Sequence, residues 1–170
     1  MIKKKLEDAL NKQSSHEAYA SSSYLAMASW CEKEGLRGCA EFFYAQSEEE
    51  RGHLLKLVKY INEAGGHAQV SAVSAPANSY KNLQEVFKTG LEQEMGVTQD
   101  INKIVELALQ EKDYAAFTFL QWYVQEQVEE ENLFRLTLDI IKLAGKEDRS
   151  WLLVDKEIGA LKDEEEKEEE

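Results

Sequence analysis

The chain has 170 residues and a formal net charge of −13, from 33 acidic and 20 basic side chains. Hydrophobic residues make up 43% and charged residues 31%, a balance typical of one globular domain with its own core. Nucleic acid is excluded as an expected partner because its phosphates would be repelled, whereas the negative charge favours cations.

Apolar periodicity, a single proline and few turn clusters predict an all-α chain. Glycines end the first, second and fourth predicted helices, and the segment from His67 to Tyr80 is predicted to be a loop. The predicted helices, in chain order, are Ile2–Glu34, Arg37–Ala64, Leu83–Gln110, a fourth from the turn at Lys112 and Asp113 to Ala144, and a short fifth at Ser150–Leu161.

The lengths of these elements predict how they pack. Helices of roughly 28 residues are about 42 Å long, and the short connections between them make two antiparallel hairpins. The middle loop, of roughly 15 residues, can stretch about 50 Å and so can run the length of the bundle. We therefore expect a four-helix bundle with one long crossover loop, parallel second and third helices, and a short fifth C-terminal helix.

One domain is predicted over residues 1–162, followed by an acidic C-terminal tail at residues 163–170. The tail contains seven acids and one lysine and so contributes −6 to the net charge. It can be a solvated charge run or a surface that collects cations, and the sequence leaves both interpretations open.

The only two cysteines are Cys31 and Cys39, and their spacing matches no zinc or redox motif. We therefore expect a reduced, cytoplasmic setting, with Cys31 as a small buried hydrophobe. No segment has the features of a signal peptide, and no apolar run is long enough to span a membrane, so we expect no membrane partner.

Each of the four long helices carries a seam of apolar residues in alternating three- and four-residue steps. A carboxylate interrupts every seam near its middle, at Glu17, Glu50, Glu94 and Glu130, and the second seam also contains His53. An ionised carboxylate in a dry core costs several kcal/mol unless it is paired or bound to a metal. Four such acids indicate a core built around cations.

The hairpin geometry places the polar seam residues at one level of the bundle. Counted from the turns that close the two hairpins, all of them lie 14 to 19 residues away, which is within about 7 Å along the axis at helical rise. These residues are Glu17, Glu50, His53, Glu94, Gln127 and Glu130.

Carboxylates with one imidazole suit Fe, Mn or Zn. Glu50 and His53, three residues apart, share a helix face and can bind one metal together with Glu17. Glu94 and Glu130 can bind a second metal, with Glu50 bridging the two in a two-metal site. The alternative is a metal-free buried polar network, which is disfavoured because one histidine cannot balance four carboxylates.

Several motifs occur together along the chain: Glu17, Glu94, the run Glu49-Glu50-Arg51-Gly52-His53, and the run from Phe119 to Glu131, which contains Leu-Gln-Trp-Tyr. With these motifs the chain resembles the bacterial non-haem ferritins over nearly its whole length. The resemblance implies a ferritin-like fold and a 24-subunit homo-oligomeric cage. It also implies ferroxidase activity, in which O₂ or H₂O₂ oxidises Fe(II) at a dinuclear centre and the product is stored as ferric mineral.

The resemblance further implies which residues bind iron in the dinuclear centre. The first iron is expected at Glu17, Glu50 and His53, and the second at Glu50, Glu94 and Glu130.

Three more residues take roles near the centre by the same resemblance. Gln127 is expected to support the second iron through its amide, and Tyr24 to support the centre and donate an electron. Simple core packing is the alternative for Tyr24. Trp122 is either a further electron donor or a packing residue.

The resemblance also implies a third iron site, whose expected ligands are Glu49, Glu126, Glu129 and Glu130. A solvated acidic face is the alternative for the first three of these. Haem is not expected, because Gly52 stands where the haem-binding relatives use methionine.

The fourth helix has Gln127-x-x-Glu130 where symmetrical di-iron bundles repeat Glu-x-x-His, so the second metal is expected to bind more weakly. Two other classes of function remain: a di-iron oxygenase or peroxidase, and a metal-free helical interaction protein. The absence of rubredoxin-like cysteine pairs and of a second histidine counts against the first.

Overall fold

The computed structural model describes the backbone of residues 1–145 and 150–168 and the side chains through residue 161. Over these ranges the chain is helical and contains no strand. The helices are α1 (Lys4–Lys33), α2 (Arg37–Glu63), α3 (Leu83–Gln110), α4 (Tyr114–Ala144) and α5 (Ser150–Glu168). The predicted bounds of the first four helices are confirmed to within two residues.

Local backbone chemistry explains where the helices begin and end. Gly35 and Gly65 follow α1 and α2 with φ values of +81° and +79°, which glycine adopts without steric cost. Asn82 caps α3 by accepting a hydrogen bond from the backbone N–H of Glu85 at 2.9 Å. Asp113 caps α4 in the same way, so the predicted turn at this point is confirmed.

The connection between α2 and α3 runs along α1. Near its start, the Asn11 side chain donates to the carbonyl of His67 and accepts from the N–H of Gln69. Near its end, Tyr80 packs edge-on against Trp30, with ring centroids 5.7 Å apart. Since the loop thus follows α1 from its first third to its C-terminal end, α2 and α3 begin at the same end of the bundle. The long crossover is confirmed.

Two apolar clusters fill the bundle, one on either side of its middle. The first is aromatic and contains Tyr24, Phe42, Phe43, Phe87 and Phe134 with their aliphatic neighbours. The second is mainly aliphatic and contains Leu6, Leu10, Leu57, Ile61, Ile101 and Leu120, among others. Full burial of one such side chain stabilises the fold by about 1.5–3 kcal/mol. The two clusters therefore hold a rigid scaffold around the polar layer between them.

The fifth helix is longer than the sequence predicts. It continues beyond Leu161 to Glu168, because Glu and Lys are good helix formers, so most of the expected tail is helical backbone. Residues 169 and 170 lie outside the described residues. Val154 and Ile158 are buried, and the Asp155 carboxylate accepts from the backbone N–H of Cys39 at 2.8 Å. These contacts attach α5 to the start of α2.

Cys31 and Cys39 are both buried, and neither forms a disulfide. Burial raises the pKa of the Cys31 thiol to about 12, so it packs as a neutral group. Within residues 1–145 and 150–168, no helix is both long enough and apolar enough to cross a bilayer.

Candidate metal centre

A layer of polar side chains lies between the two apolar clusters, and four different helices contribute to it. Its members are each no more than 4% exposed: Glu17 from α1, Glu50 and His53 from α2, Glu94 from α3, and Gln127 and Glu130 from α4. Contacts among these side chains join them in one buried layer, as their distances from the hairpin turns predict. The two groups of ligand atoms that lie within 4.8 Å of one another do not include Glu94.

Glu17, Glu50 and His53 form the first group in this layer. Each offers a ligand atom, and these atoms all lie within 4.8 Å of one another. The Nδ1 atom of His53 is 3.1 Å from Oε2 of Glu50. Tyr123 donates its O–H to the backbone carbonyl of His53 at 2.7 Å, which fixes this part of α2 against α4. The group is therefore held in place before any cation arrives.

Glu17 is only half satisfied by protein partners. Its Oε1 accepts a hydrogen bond from Nε2 of Gln13 at 2.9 Å, one helical turn away. Its Oε2 is buried and has no hydrogen-bond partner among the described residues. Leaving a buried acceptor unpaired costs about 1–3 kcal/mol. A cation between Glu17, Glu50 and His53 would satisfy this oxygen.

Glu94 is oriented by donors from two other helices. The Tyr24 O–H donates to its Oε1, and Nε2 of Gln127 donates to its Oε2 at 3.0 Å and to its backbone carbonyl at 3.2 Å. The Tyr24 ring stacks between Phe43 and Phe134, at centroid distances of 5.9 and 5.6 Å. Tyr24 therefore reaches the polar layer from the aromatic cluster, and Gln127 reaches it from α4.

Glu130 completes the layer from α4. Its Oε2 accepts a hydrogen bond from Nε2 of Gln46 at 2.9 Å. Gln46 lies one helical turn before Glu50 on α2, so this contact joins α2 and α4 directly beside the first group. The amide thus orients the Glu130 carboxylate inside the bundle.

Burial and mutual repulsion make these carboxylates reluctant to ionise together. Burial raises the pKa of Glu50 well above its usual value, and the charges of Glu94 and Glu17 raise it further. Burial also raises the pKa of Glu17 and of Glu94, although hydrogen bonds from neighbouring side chains partly oppose it. A bound cation would favour the ionised forms, so the layer is chemically poised for metal.

The pKa of His53 is also raised, but from a different balance of causes. Burial opposes protonation of the imidazole, but the carboxylates of Glu126 and Glu17 outweigh it, and the pKa of His53 is raised. Burial, together with the charge of Glu94, raises the pKa of Tyr24 well above its usual value, so the phenol keeps its proton and donates it in a hydrogen bond.

A second group of potential ligands shares His53 and extends toward the surface. Glu49, His53, Glu126 and Glu130 each offer an atom within 4.8 Å of the others. The Nε2 atom of His53 is 3.6 Å from Oε1 of Glu126. The structure does not bring Glu129 into this group: its side chain is exposed and accepts a hydrogen bond from Gln125 on its own helix.

Some residues of the layer were not assigned a role from sequence. Gln13 and Gln46 lie on the predicted seams, and their polar character on an apolar seam is the signal that could have identified them. Tyr123 contacts backbone atoms of His53, and no sequence pattern indicates a bond of that kind. His53 also belongs to both groups, whereas the sequence assigns it to the first group alone.

Comparisons with known proteins agree with this geometry. The model of the ferritin-like domain family matches residues 7–144. The chain belongs to the ferritin-like family.

Relatives of known name support that membership over nearly the whole chain. The chain is 44% identical over 161 residues to a probable bacterial non-heme ferritin-like protein of Haemophilus influenzae, covering 95% of this chain and 98% of the relative. It is 43% identical over 160 residues to a bacterial non-heme ferritin of Staphylococcus aureus, covering 94% of this chain and 96% of the relative.

Solved structures support the fold in the same way. The open pore ferritin of the hyperthermophilic archaeon Archaeoglobus fulgidus matches with a TM-score of 0.91 and 38% identity, over 94% of this chain and 98% of that chain. Ferritin-family membership and the buried carboxylate–histidine group together support iron storage as the function of the chain.

Proposed function

We propose that this chain is an iron-storage ferritin with ferroxidase activity, which oxidises Fe(II) in the polar layer of the bundle. In this proposal Glu17, Glu50 and His53 bind one iron, and Glu50, Glu94 and Glu130 bind the other. The observation that carries it is the convergence of four buried carboxylates and one imidazole from four helices. Iron is the substrate here, and it leaves the centre as ferric product.

A pair of irons suits the electron count of the reaction. Each Fe(II) gives up one electron, and two electrons with two protons convert O₂ to H₂O₂, or H₂O₂ to two waters. The carboxylates supply negative charge that stabilises the ferric product more than the ferrous substrate. The charges of both Glu94 and Glu17 act on Glu50 and raise its pKa, which supports a bridging role for it.

The two iron positions are expected to differ in affinity. Only the first has an imidazole, whereas the second has the Gln127 amide directed at Glu94 instead of at the metal. A titration of metal-free protein with Zn²⁺ should therefore give two unequal steps per subunit at the dinuclear centre. Glu130→Ala should remove the weaker step and spare much of the stronger one, and two equal, inseparable steps would contradict the argument.

Tyr24 and Gln127 complete the proposed machinery without binding iron themselves. The hydrogen bond from Tyr24 holds Glu94 in place, and its phenol stands close enough to supply an electron to the centre through that bond. Gln127 holds the other oxygen of Glu94. These contacts support the expectation that both residues act on the second iron position.

A third iron site is proposed beside the centre, on the side toward the surface. Glu49, Glu126 and Glu130 are its ligands, and the geometry adds His53 as a neighbour that the two sites share. Glu129 stays in the proposal as a fourth ligand that would have to leave its bond with Gln125. This site would accept iron on its way to or from the dinuclear centre.

The proposed assembly is a 24-subunit homo-oligomeric cage in the cytoplasm, without haem, that uses O₂ or H₂O₂ as oxidant and stores ferric mineral inside. Self-association follows from the likeness to ferritins, whose fold this chain shares. The two buried, reduced cysteines agree with a cytoplasmic setting.

Two measurements test the proposal. Gel filtration should give a species near 470 kDa, about the mass of 24 chains of 19.4 kDa each, whereas a dimer would favour a di-iron catalyst or a metal-free interaction protein. Crystals soaked anaerobically with Fe(II) should show density between Glu17, Glu50 and Glu94. Metal found only on the outer surface would refute the ferroxidase assignment.

A further inference from the structure

An open cavity of about 550 Å³ leads from the surface to the second ligand group. Its walls carry the acids Glu49 and Glu126 beside His53, as the proposed third iron site requires. The same walls also carry two lysines, Lys56 and Lys59. Positively charged side chains at the mouth of a cation site repel the cations that would bind there. The resemblance to ferritins assigns these two lysines no role.

Lys56 is fixed in this cavity by an aromatic contact. Its Nζ atom lies 3.2 Å from the ring centroid of Trp122, a close cation–π contact with the negative face of the indole. Trp122 in turn packs edge-on against His53 and Tyr123, at centroid distances of 5.2 and 4.8 Å. The ammonium of Lys56 is therefore held on a rigid platform that belongs to the metal centre.

The charges around this ammonium show what it does in the metal-free protein. Burial lowers the pKa of Lys56, and the negative charge of Glu126 acts in the opposite direction, so the Lys56 ammonium lies in the field of Glu126. The Oε1 atom of Glu126 is 3.6 Å from Nε2 of His53, within the proposed third site. Lys56 follows His53 by three residues, so both project from the same face of α2. One protein cation thus balances part of the negative charge that a third metal ion would otherwise neutralise.

We propose that Lys56 is a built-in competitor of the third metal ion, which shares the field of Glu126 and so keeps that site weak and rapidly exchanging. The inference rests on the proposed third site and adds the residue that sets its affinity. An ion entering beside Glu126 meets the positive charge of Lys56, which can retreat only by giving up its contact with Trp122. Iron therefore passes through this position and does not accumulate in it.

The platform explains why Lys56 and not Lys59 takes this role. Lys59 lines the same cavity one turn further along α2, but its side chain is exposed. An exposed, mobile ammonium is screened by water and salt within about 8–10 Å. Lys56 is half-buried and held over an aromatic ring, so its charge acts at a fixed place.

The test compares Lys56→Met, which keeps the length of the side chain and removes its charge, with Lys59→Met as the matched control. Metal-free cages are titrated with Zn²⁺ by calorimetry at low ionic strength. If the ion and the ammonium are about 8 Å apart in this open cavity, an effective dielectric constant of ~40–80 predicts a third step tightened roughly 5- to 30-fold in Lys56→Met and less than about twofold in Lys59→Met. Lys56→Arg should keep the third step near that of the wild type.

A spectroscopic measurement tests the contact itself. Binding of the third Zn²⁺ should change the tryptophan emission of the wild type as Lys56 leaves the ring, and Trp122→Phe should abolish most of that change. Added salt should reduce the difference between wild type and Lys56→Met, because it screens the lysine charge.

The outcomes separate this inference from the proposed function. Three outcomes would overturn the role of Lys56 while leaving the two dinuclear steps intact. They are equal third-step affinity in wild type and Lys56→Met, equal effects of the two lysine variants, and no third step in either protein. Loss of the dinuclear steps in the wild type would instead overturn the ferroxidase proposal.

Discussion

Replacing Glu50 by glutamine should make the metal-free protein more stable and its metal complex less so. Glu50 is 1% exposed and lies in a group whose ligand atoms are within 4.8 Å of one another. Two unit charges at 4.8 Å, the largest separation within this group, repel each other by about 3.5 kcal/mol at an effective dielectric constant of ~20, which sets the scale of the effect.

The expected gain in stability is smaller than this pairwise repulsion. Proton uptake relieves part of the repulsion, and the variant loses part of its attraction to His53, so we expect metal-free Glu50→Gln to gain about 1–3 kcal/mol in free energy of unfolding. For a chain of this size that corresponds to a rise in Tm of roughly 2–10 °C. The glutamine has the same shape, so packing is unchanged.

The gain should depend on pH in a definite direction. The folded-state pKa of Glu50 is raised above its unfolded value of 4.5. The cost of ionising it is therefore absent below about pH 4.5 and grows as the pH rises toward the folded-state pKa. The difference between wild type and Glu50→Gln should vanish in acid and be largest at neutral or higher pH.

Differential scanning fluorimetry of chelator-treated protein, with and without Zn²⁺, measures both effects. Zn²⁺ should raise the Tm of the wild type more than that of Glu50→Gln, because a ligand that binds only the folded state stabilises it. Glu48→Gln removes the same charge from an exposed position on α2 and should change stability by less than about 0.5 kcal/mol. A metal-free Glu50→Gln less stable than wild type would refute the electrostatic reasoning.

Three further predictions concern the core, the electron donor and the tail. Gly90→Ala should lose about 1–3 kcal/mol in chemical denaturation, because its Cβ would lie 2.3 Å from Cε1 of Phe134. Tyr24→Phe keeps the ring but removes the hydrogen bond to Glu94, so stopped-flow absorbance should show Fe(II) oxidation slowed about tenfold, the equivalent of ~1.4 kcal/mol. Truncation after Leu161 should leave the first oxidation turnover normal but reduce mineral growth at high iron loading, measured by light scattering, because the acidic charges that attract cations are removed.

Each of these predictions has a matched control or a contrary outcome. Gly96 lies on the same helix with open space around it, so Gly96→Ala should gain up to about 1 kcal/mol from helix propensity; equal losses at both glycines would contradict the packing argument. Tyr60→Phe alters a tyrosine stacked on Phe119 and should leave oxidation unchanged. Unchanged oxidation in Tyr24→Phe would leave that residue a packing residue, and identical mineralisation after truncation would leave the tail a solvated charge run.

The sequence by itself determined the helices, the crossover and the polar layer. The helix bounds follow from the periodicity of apolar residues and from capping residues such as Gly35 and Asp113. These residues act on only a few neighbours along the chain. The positions of Glu17, Glu50 and Glu94 along the bundle axis follow from their residue counts from the turns, because each helical residue adds a fixed rise. No knowledge of side-chain contacts is required. The predicted fifth helix is too short, because the acidic run after Leu161 has the composition of a solvated tail although glutamate and lysine also favour helix.

Only the tertiary structure decided which side chains meet across the helices. Periodicity gives the face of a helix on which a residue lies, but rotamers and the packing of neighbouring helices decide its partner. Glu129 lies beside Glu130 in sequence, yet it turns to solvent and bonds Gln125, since adjacent helical residues point about 100° apart. The place of Lys56 over Trp122 likewise joins two helices through one side-chain conformation, which no local pattern in the sequence specifies.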